Sequence, residues 1–187
     1  ERDMNGPYKP VSLAKPMVVT GLSKSYGTIN VIAGLTMRVD PGEFICIVGP
    51  SGVGKTTLLR CLSGLAAPTS GNVTVGGETV TEPRAEIGVP KAERHRIAEQ
   101  CLADVGLEGA GGKYPWELSG GMQQRVAIAR ALAYDAHILL MDEPFGSLDA
   151  QTRMGLEDLV LDLRKRLKIS IIVVTHDIDE AVYLADR

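Results

Sequence analysis

Short apolar runs alternate along the chain with longer segments of mixed polarity. Phe44–Val48, His137–Met141 and Ser170–Thr175 are near-continuous apolar stretches, as expected of strands covered on both faces. Met17–Val19 and Val31–Val39 read as earlier strands, and Asp40-Pro41-Gly42 turns the chain between the second of them and Phe44. Asn72–Val80 sets Val73, Val75 and Val80 around Gly76-Gly77, which predicts a hairpin on a Gly-Gly turn. Helices are predicted over Lys55–Leu65, Pro90–Val105, Gly120–Tyr134 and Ala150–Leu167; a further one begins near Asp177 and is still running at Arg187. In Pro90–Val105, Ile97, Cys101 and Val105 fall on one face, with Pro90 suited to the first turn and Gly106 to the end. Strands alternating with helices predict an α/β core with a mainly parallel sheet; the earlier strands look antiparallel. Residues 1–16, polar and interrupted by Pro7, Pro10 and Pro16, read as a loose leader, and 17–187 as one domain.

Composition narrows the class. The 187 residues are 44% apolar and 23% charged, which excludes a disordered, collagenous or coiled-coil chain. A net charge of −3 and only 4% aromatic residues speak against a nucleic-acid partner. Cys46, Cys61 and Cys101 are odd in number, far apart and flanked by apolar residues, so they read as reduced, buried thiols of a cytosolic protein. No apolar run approaches the length of a membrane span, and residues 1–15 have no signal-peptide character.

Three strings carry chemistry. Gly49-Pro50-Ser51-Gly52-Val53-Gly54-Lys55-Thr56 fits the phosphate-loop pattern and sits between a predicted strand and a predicted helix. Glycines let the backbone wrap phosphate oxygens, and the helix N-terminus supplies oriented N–H groups. Lys55 adds a charge for the β- and γ-phosphates, and the Thr56 hydroxyl is a hard ligand suited to Mg²⁺. Ile138–Met141 leads into Asp142-Glu143, two acids at the carboxyl end of a strand; Asp142 is placed to hold Mg²⁺ and Glu143 to polarise an attacking water. A helix cap is the plainer use of such acids. Finally, Leu118-Ser119-Gly120-Gly121-Met122-Gln123-Gln124 puts two glycines where a helix starts, which suits close approach of the backbone to an anion; Ser119 acting as a helix cap is the plainer use.

That last string resembles the signature of the ATP-binding cassette (ABC) ATPases. The same family accounts for Gly49–Thr57, for Asp142-Glu143, for Ser147-Leu148-Asp149, and for His176 closing a strand, in the family's order and across nearly the whole chain. The resemblance implies a P-loop NTPase core, an antiparallel β subdomain and a helical subdomain, here truncated. It implies ATP and Mg²⁺ as cofactors, with Gly49 to Thr57 on the nucleotide and Tyr26 stacking on adenine. It further implies a head-to-tail homodimer. Ser119, Gly120, Gly121 and Gln123 would then meet the γ-phosphate bound to a partner chain, and Asp149 would lie at the dimer seam. His176 would act as a catalytic residue beside Glu143 within its own chain. Met141–Gly146 and His176–Ala181, with Leu118–Met122, look like the branch that imports nitrate, sulfonates, taurine and similar solutes. The chain would then be a peripheral subunit on the cytoplasmic side of the inner membrane, joined to permease subunits and indirectly to a solute-binding protein. The other reading is a soluble ABC ATPase of translation or DNA repair; a P-loop kinase or GTPase leaves Leu118–Gln124 unexplained.

One departure stands out. Family members carry a glutamine-containing loop between phosphate loop and signature, whereas no glutamine occurs here between Lys55 and Glu99. Only 69 positions separate Gly49 from Leu118, several dozen fewer than the family pattern needs. The expectation is a missing segment near 88–90, either disordered or deleted. Disorder is preferred, because a coupling loop without its permease has little to pack against. A Cα step well beyond ~3.8 Å between Ile87 and Lys91 would mark it.

Overall fold

The computed structural model describes residues 14–82, 91–134 and 136–187. The described residues form two sheets. The first is antiparallel in the order β2-β1-β4-β5, from β1 (Met17–Tyr26), β2 (Ile29–Val39), β4 (Ser70–Val75) and β5 (Glu78–Thr79). The second is parallel in the order β3-β7-β6, from β3 (Phe44–Val48), β6 (Ile138–Asp142) and β7 (Ser170–Thr175). Helices α1 (Lys55–Leu62), α2 (Lys91–Asp104), α3 (Gly120–Ala133), α4 (Ala150–Leu167) and α5 (Ile178–Leu184) cover them, and a single 3-10 turn, Pro115–Glu117, precedes α3.

Strand β7 explains why its sequence is apolar without alternation. Ile171 and Val173 point into a core with Leu132, Leu156, Val160 and Leu163 of α3 and α4. Ile172 and Val174 point the other way, into a core with Leu58, Leu59 and Leu62 of α1 and with Val19 and Leu22 of β1. Period-two alternation therefore serves two apolar faces at once. Each of these buried side chains contributes about 1.5–3 kcal/mol relative to exposure, so β7 is the common wall on which the site is built.

Several boundaries differ from the sequence expectation for local reasons. Strand β1 continues to Tyr26, through Gly21 at φ 57° and register shifts between Val19 and Leu22 and again between Leu22 and Lys24. Helix α1 stops at Leu62 rather than Leu65, with Gly64 in the left-handed region at φ 77°. The last helix does not run to Arg187. It ends at Leu184, and Ala185 is extended. Asp186 N–H then donates to Phe44 O at 2.9 Å, and Cys46 N–H donates to Arg187 O at 3.2 Å. The Asp186 carboxylate accepts from Phe44 N–H at 3.0 Å and pairs with Arg164 of α4. A helical course would forfeit these bonds. The Gly76-Gly77 turn forms as expected, with both glycines at positive φ between β4 and β5.

No helix among the described residues is long and apolar enough to cross a membrane. Residues 1–13 of the expected leader, and the whole of Ile87–Pro90 where a chain gap was expected, lie outside the described residues.

Candidate functional site

The carboxyl ends of the parallel strands converge on one cleft. Strand β3 hands over at Val48 to the glycine loop, and Gly49 N–H donates to Thr175 O at 3.4 Å, tying the loop to β7. Helix α1 starts at Gly54, whose φ of 106° suits glycine alone; no side chain caps this end and its first turn holds no acid. Its amide donors and dipole thus face the cleft with no carboxylate of its own first turn against them. Lys55 is buried, at 8% exposure, and a charge so placed needs partners. It donates to Gly49 O at 2.7 Å and Pro50 O at 3.1 Å, and lies 3.5 Å from Glu143 Oε1.

Strand β6 ends at Asp142, and Glu143 follows with φ 45°, a left-handed conformation that a non-glycine residue holds at a cost of about 1–3 kcal/mol. Its N–H is fixed by Val174 O at 2.9 Å. His176, just past β7, brings Nδ1 to 3.3 Å from Glu143 Oε2. One carboxylate therefore bridges Lys55 and His176, joining the ends of β3, β6 and β7. The cleft measures about 630 Å³ and is lined by Tyr26, Val31, Ser51, Gly52, Gly54, Lys55, Thr56, Thr57, Asp142 and Glu143. Gly49, Pro50 and Val53 complete the loop without lining it. Tyr26 is half exposed at the end of β1, with Lys24 Nζ 4.9 Å above its ring. Val31 escaped the sequence reading; a branched residue in β2 carries no signal that it closes the loop from across the cleft.

The signature string lies on a different surface. Ser119 caps α3, its Oγ accepting Met122 N–H at 3.3 Å. The Gln123 amide donates to Pro115 O at 3.0 Å and Leu118 O at 3.2 Å, which clamps the 3-10 turn to α3. Asp149 caps α4, accepting Thr152 N–H at 3.0 Å. Hydrogen bonds from Thr152, side chain and backbone, hold the Asp149 carboxyl below the usual carboxylate range. A Cβ on Gly121 would lie 2.4 Å from Thr152 Cγ2, and one on Gly120 3.7 Å from Leu148 Cδ2. Ser119, Gly120 and Asp149 thus share one exposed face at the starts of α3 and α4, with Gly121 buried beneath it against Thr152. None of them lines the cleft.

Burial, then the nearby Glu180 charge, push the Cys46 thiol up to about 11. Cys46 is partly buried, Cys61 and Cys101 are buried, and none of the three forms a disulfide.

A glycine loop that binds a helix N-terminus to a parallel sheet, beside paired acids at a neighbouring strand end, defines a P-loop nucleotide-binding fold of the α/β class. The family described as ABC transporter matches residues 32–146. The aliphatic sulfonates import ATP-binding protein SsuB 1 of Nocardia farcinica is 45% identical, over 90% of this chain and 75% of its own length. The nitrate import ATP-binding protein NrtD of Synechocystis sp. is 42% identical, over 86% of this chain and 70% of its own length. Among solved structures, the dimeric ATP-binding cassette MJ0796, in a post-hydrolysis state bound to ADP and Pi, is similar at a TM-score of 0.76 and 28% identity, over 88% of this chain and 90% of that one. The chain belongs to the ABC transporter family of ATP-binding proteins and is an ATPase of that family.

Proposed function

We propose that the chain is the energy-coupling subunit of an importer for a small solute, acting at the cytoplasmic face of the membrane on permease subunits. Similar proteins are named for sulfonate, nitrate and taurine import, so ancestry supports import without selecting one solute. A solute-binding protein would act upstream. Residues 17–187 act as one nucleotide-binding unit, and we propose that a segment near 88–90 is missing relative to its relatives. The alignment with the nitrate protein spans 187 positions but takes in only 86% of this chain, which requires extra residues on the other side.

The observation that carries the mechanism is the Lys55–Glu143–His176 contact, in which Lys55 and Glu143 line the cleft and His176 stands behind Glu143, with the signature face elsewhere on the chain. The loop from Gly49 to Thr57 takes the ATP phosphates, and Tyr26 stacks on the base. Thr56 and Asp142 both line the cleft and offer hard oxygens, a donor set that fits Mg²⁺. Bound there, Mg²⁺ would neutralise charge between the β- and γ-phosphates. Glu143 accepts a proton as water attacks the γ-phosphorus, and the bond to the β–γ bridging oxygen breaks, leaving ADP and phosphate. Lys55 meets the charge that develops on that oxygen, and His176 orients Glu143 and the γ-phosphate. Ser119, Gly120, Gly121 and Gln123 of a second copy close over the nucleotide, with Asp149 at the seam.

Glu143→Gln keeps the cleft's shape and removes the base. It should bind ATP normally, lose at least about a hundredfold in turnover and accumulate as an ATP-bound dimer on size exclusion. Near-normal turnover would sink the assignment.

A further inference from the structure

Behind the cleft lies a charged cluster to which no role has so far been given. Arg153, on the first turn of α4, reaches two loops at once. Its NH2 donates to Leu148 O at 3.5 Å, in the turn that carries Asp149. Its NH1 lies 3.5 Å from Asp177 Oδ2 and 3.7 Å from Glu180 Oε1. Glu180 is only 6% exposed, and its Oε2 accepts the Thr175 hydroxyl at 2.7 Å. The same hydroxyl oxygen accepts Asp177 N–H at 3.0 Å. Thr175 and Asp177 flank His176, so the backbone on both sides of that histidine is held by this cluster. The Asp177 carboxylate also caps α5, accepting Asp179 N–H at 2.9 Å.

An ion pair with one buried partner, here Glu180 against the partly exposed Arg153, is weak as a source of stability, since desolvation opposes the Coulomb gain. It is stronger as a geometric constraint, because one rigid guanidinium here faces acceptors on two loops at 3.5–3.7 Å, while its buried Nε is left without a hydrogen-bond partner. Here the guanidinium joins the loop that aims His176 at Glu143 to the turn that forms the exposed face with Ser119 and Gly120. We propose that Arg153 and Glu180 are positioning residues that make these two loops one rigid unit, so that the cleft and the partner-facing surface take their productive arrangements together. The inference rests on the shared-site dimer proposed above. Neither residue touches nucleotide in this scheme; both act through His176 and the Leu148–Asp149 turn.

The test uses the full chain in a Glu143→Gln background. Glu143→Gln alone should trap an ATP-bound dimer. Adding Arg153→Met should leave ATP affinity of the monomer within about threefold, measured with a fluorescent ATP analogue, while the trapped dimer falls by about tenfold or more. Arg153→Lys keeps charge without the fork and should restore part of the dimer. With Glu143 intact, Arg153→Met should lower kcat about tenfold with KM little changed. Glu180→Gln retains an acceptor for Thr175 and removes the ion pair; it should give a smaller fall in kcat at an unchanged thermal midpoint. Full dimer trapping by Glu143→Gln/Arg153→Met would overturn the inference and leave the proposed function standing. Equal losses from Arg153→Met and Arg153→Lys, tracking loss of fold by circular dichroism, would overturn it as well. Failure of Glu143→Gln alone to trap a dimer would overturn the proposed function, and this inference with it.

Discussion

Helices α1 and α3 both have glycine at their start, Gly54 as the cap of α1 and Gly120 as the first residue of α3, and they begin differently. At α1 the cap is Gly54, no side chain occupies the end, and the buried Lys55 stands within the first turn. At α3 the cap is Ser119, whose hydroxyl already serves Met122 N–H. The first arginine of α3, Arg125, is turned inward, donating to Val105 O at 3.0 Å and Gly155 O at 3.5 Å. The α1 terminus therefore combines open donors with a full positive charge and can hold a polyphosphate by itself. The α3 terminus offers backbone dipole and a hydroxyl without a charge, which suits completing a site whose charge another chain supplies.

The sharpest way to break this comparison is Gly54→Ala. A Cβ there would lie 2.7 Å from Val31 Cγ1 and 3.3 Å from Val31 O, at a φ that L side chains avoid. ATP affinity of the monomer should fall by about a hundredfold or more, roughly 2.7 kcal/mol, by equilibrium titration; retained affinity would mean the loop does not grip phosphate through this backbone. Gly120→Ala probes the other helix. Its Cβ would meet only Leu148 Cδ2, at an ordinary 3.7 Å, and Ala is the better helix former by about 0.5–1 kcal/mol. The thermal midpoint should hold or rise while turnover drops about tenfold, roughly 1.4 kcal/mol. The chain itself tolerates that methyl, so an activity loss must come from what approaches from outside. Unchanged turnover would remove Gly120 from the shared site.

The smallest effect concerns the frame on which both helices rest. Glu157 of α4 is buried, and burial first, then the charges of Glu180, Asp158 and Asp177, push its carboxyl up despite Arg153. A carboxyl raised by folding costs stability when charged. That cost is absent below the unfolded value of about 4.3 and is complete above the folded value. Glu157→Gln should therefore stabilise the fold at neutral pH by a few tenths to about 1 kcal/mol, raising the melting midpoint by about 1–4 °C. The gain should vanish as pH falls toward 4. A gain that persisted there would trace to packing instead of charge.

Much of the frame was legible because its signals are local. The bounds of β3, α4 and β7 follow from apolar runs and from Asp149, which closes off α4 as a cap; Lys168, in the left-handed region at φ 54°, ends it. The full length of β1 was hidden by bulges, which break the alternation that marks a strand; Gly21 N–H is instead satisfied by Thr36 Oγ1 at 3.0 Å. In the site, motif residues could be named because each motif is contiguous. Their contacts could not, since the left-handed turn at Glu143 and its bridge to Lys55 and His176 join three separate strand ends. Arg153 and Glu180 went unnoticed for a related reason. The available signal was Glu180 on the same face of α5 as the buried Leu184, a polar residue in an apolar position, and only the fold shows what it meets.

The pairing of β3 sets a schedule for the protein's birth. Strand β3 carries the phosphate loop, yet its partner in the sheet is β7, with Phe44 opposite Ile171. A ribosome makes the loop early and its supporting wall much later, with β6 placed on the far side of that wall. Sheet contacts so distant in sequence close slowly and leave edges bare meanwhile. A nascent chain halted before Ser170 would thus display the entire Gly49–Thr57 string without the Thr175 carbonyl that receives Gly49 N–H and without the strand that pairs with β3. Nucleotide could act as a folding aid only after β7 has left the exit tunnel.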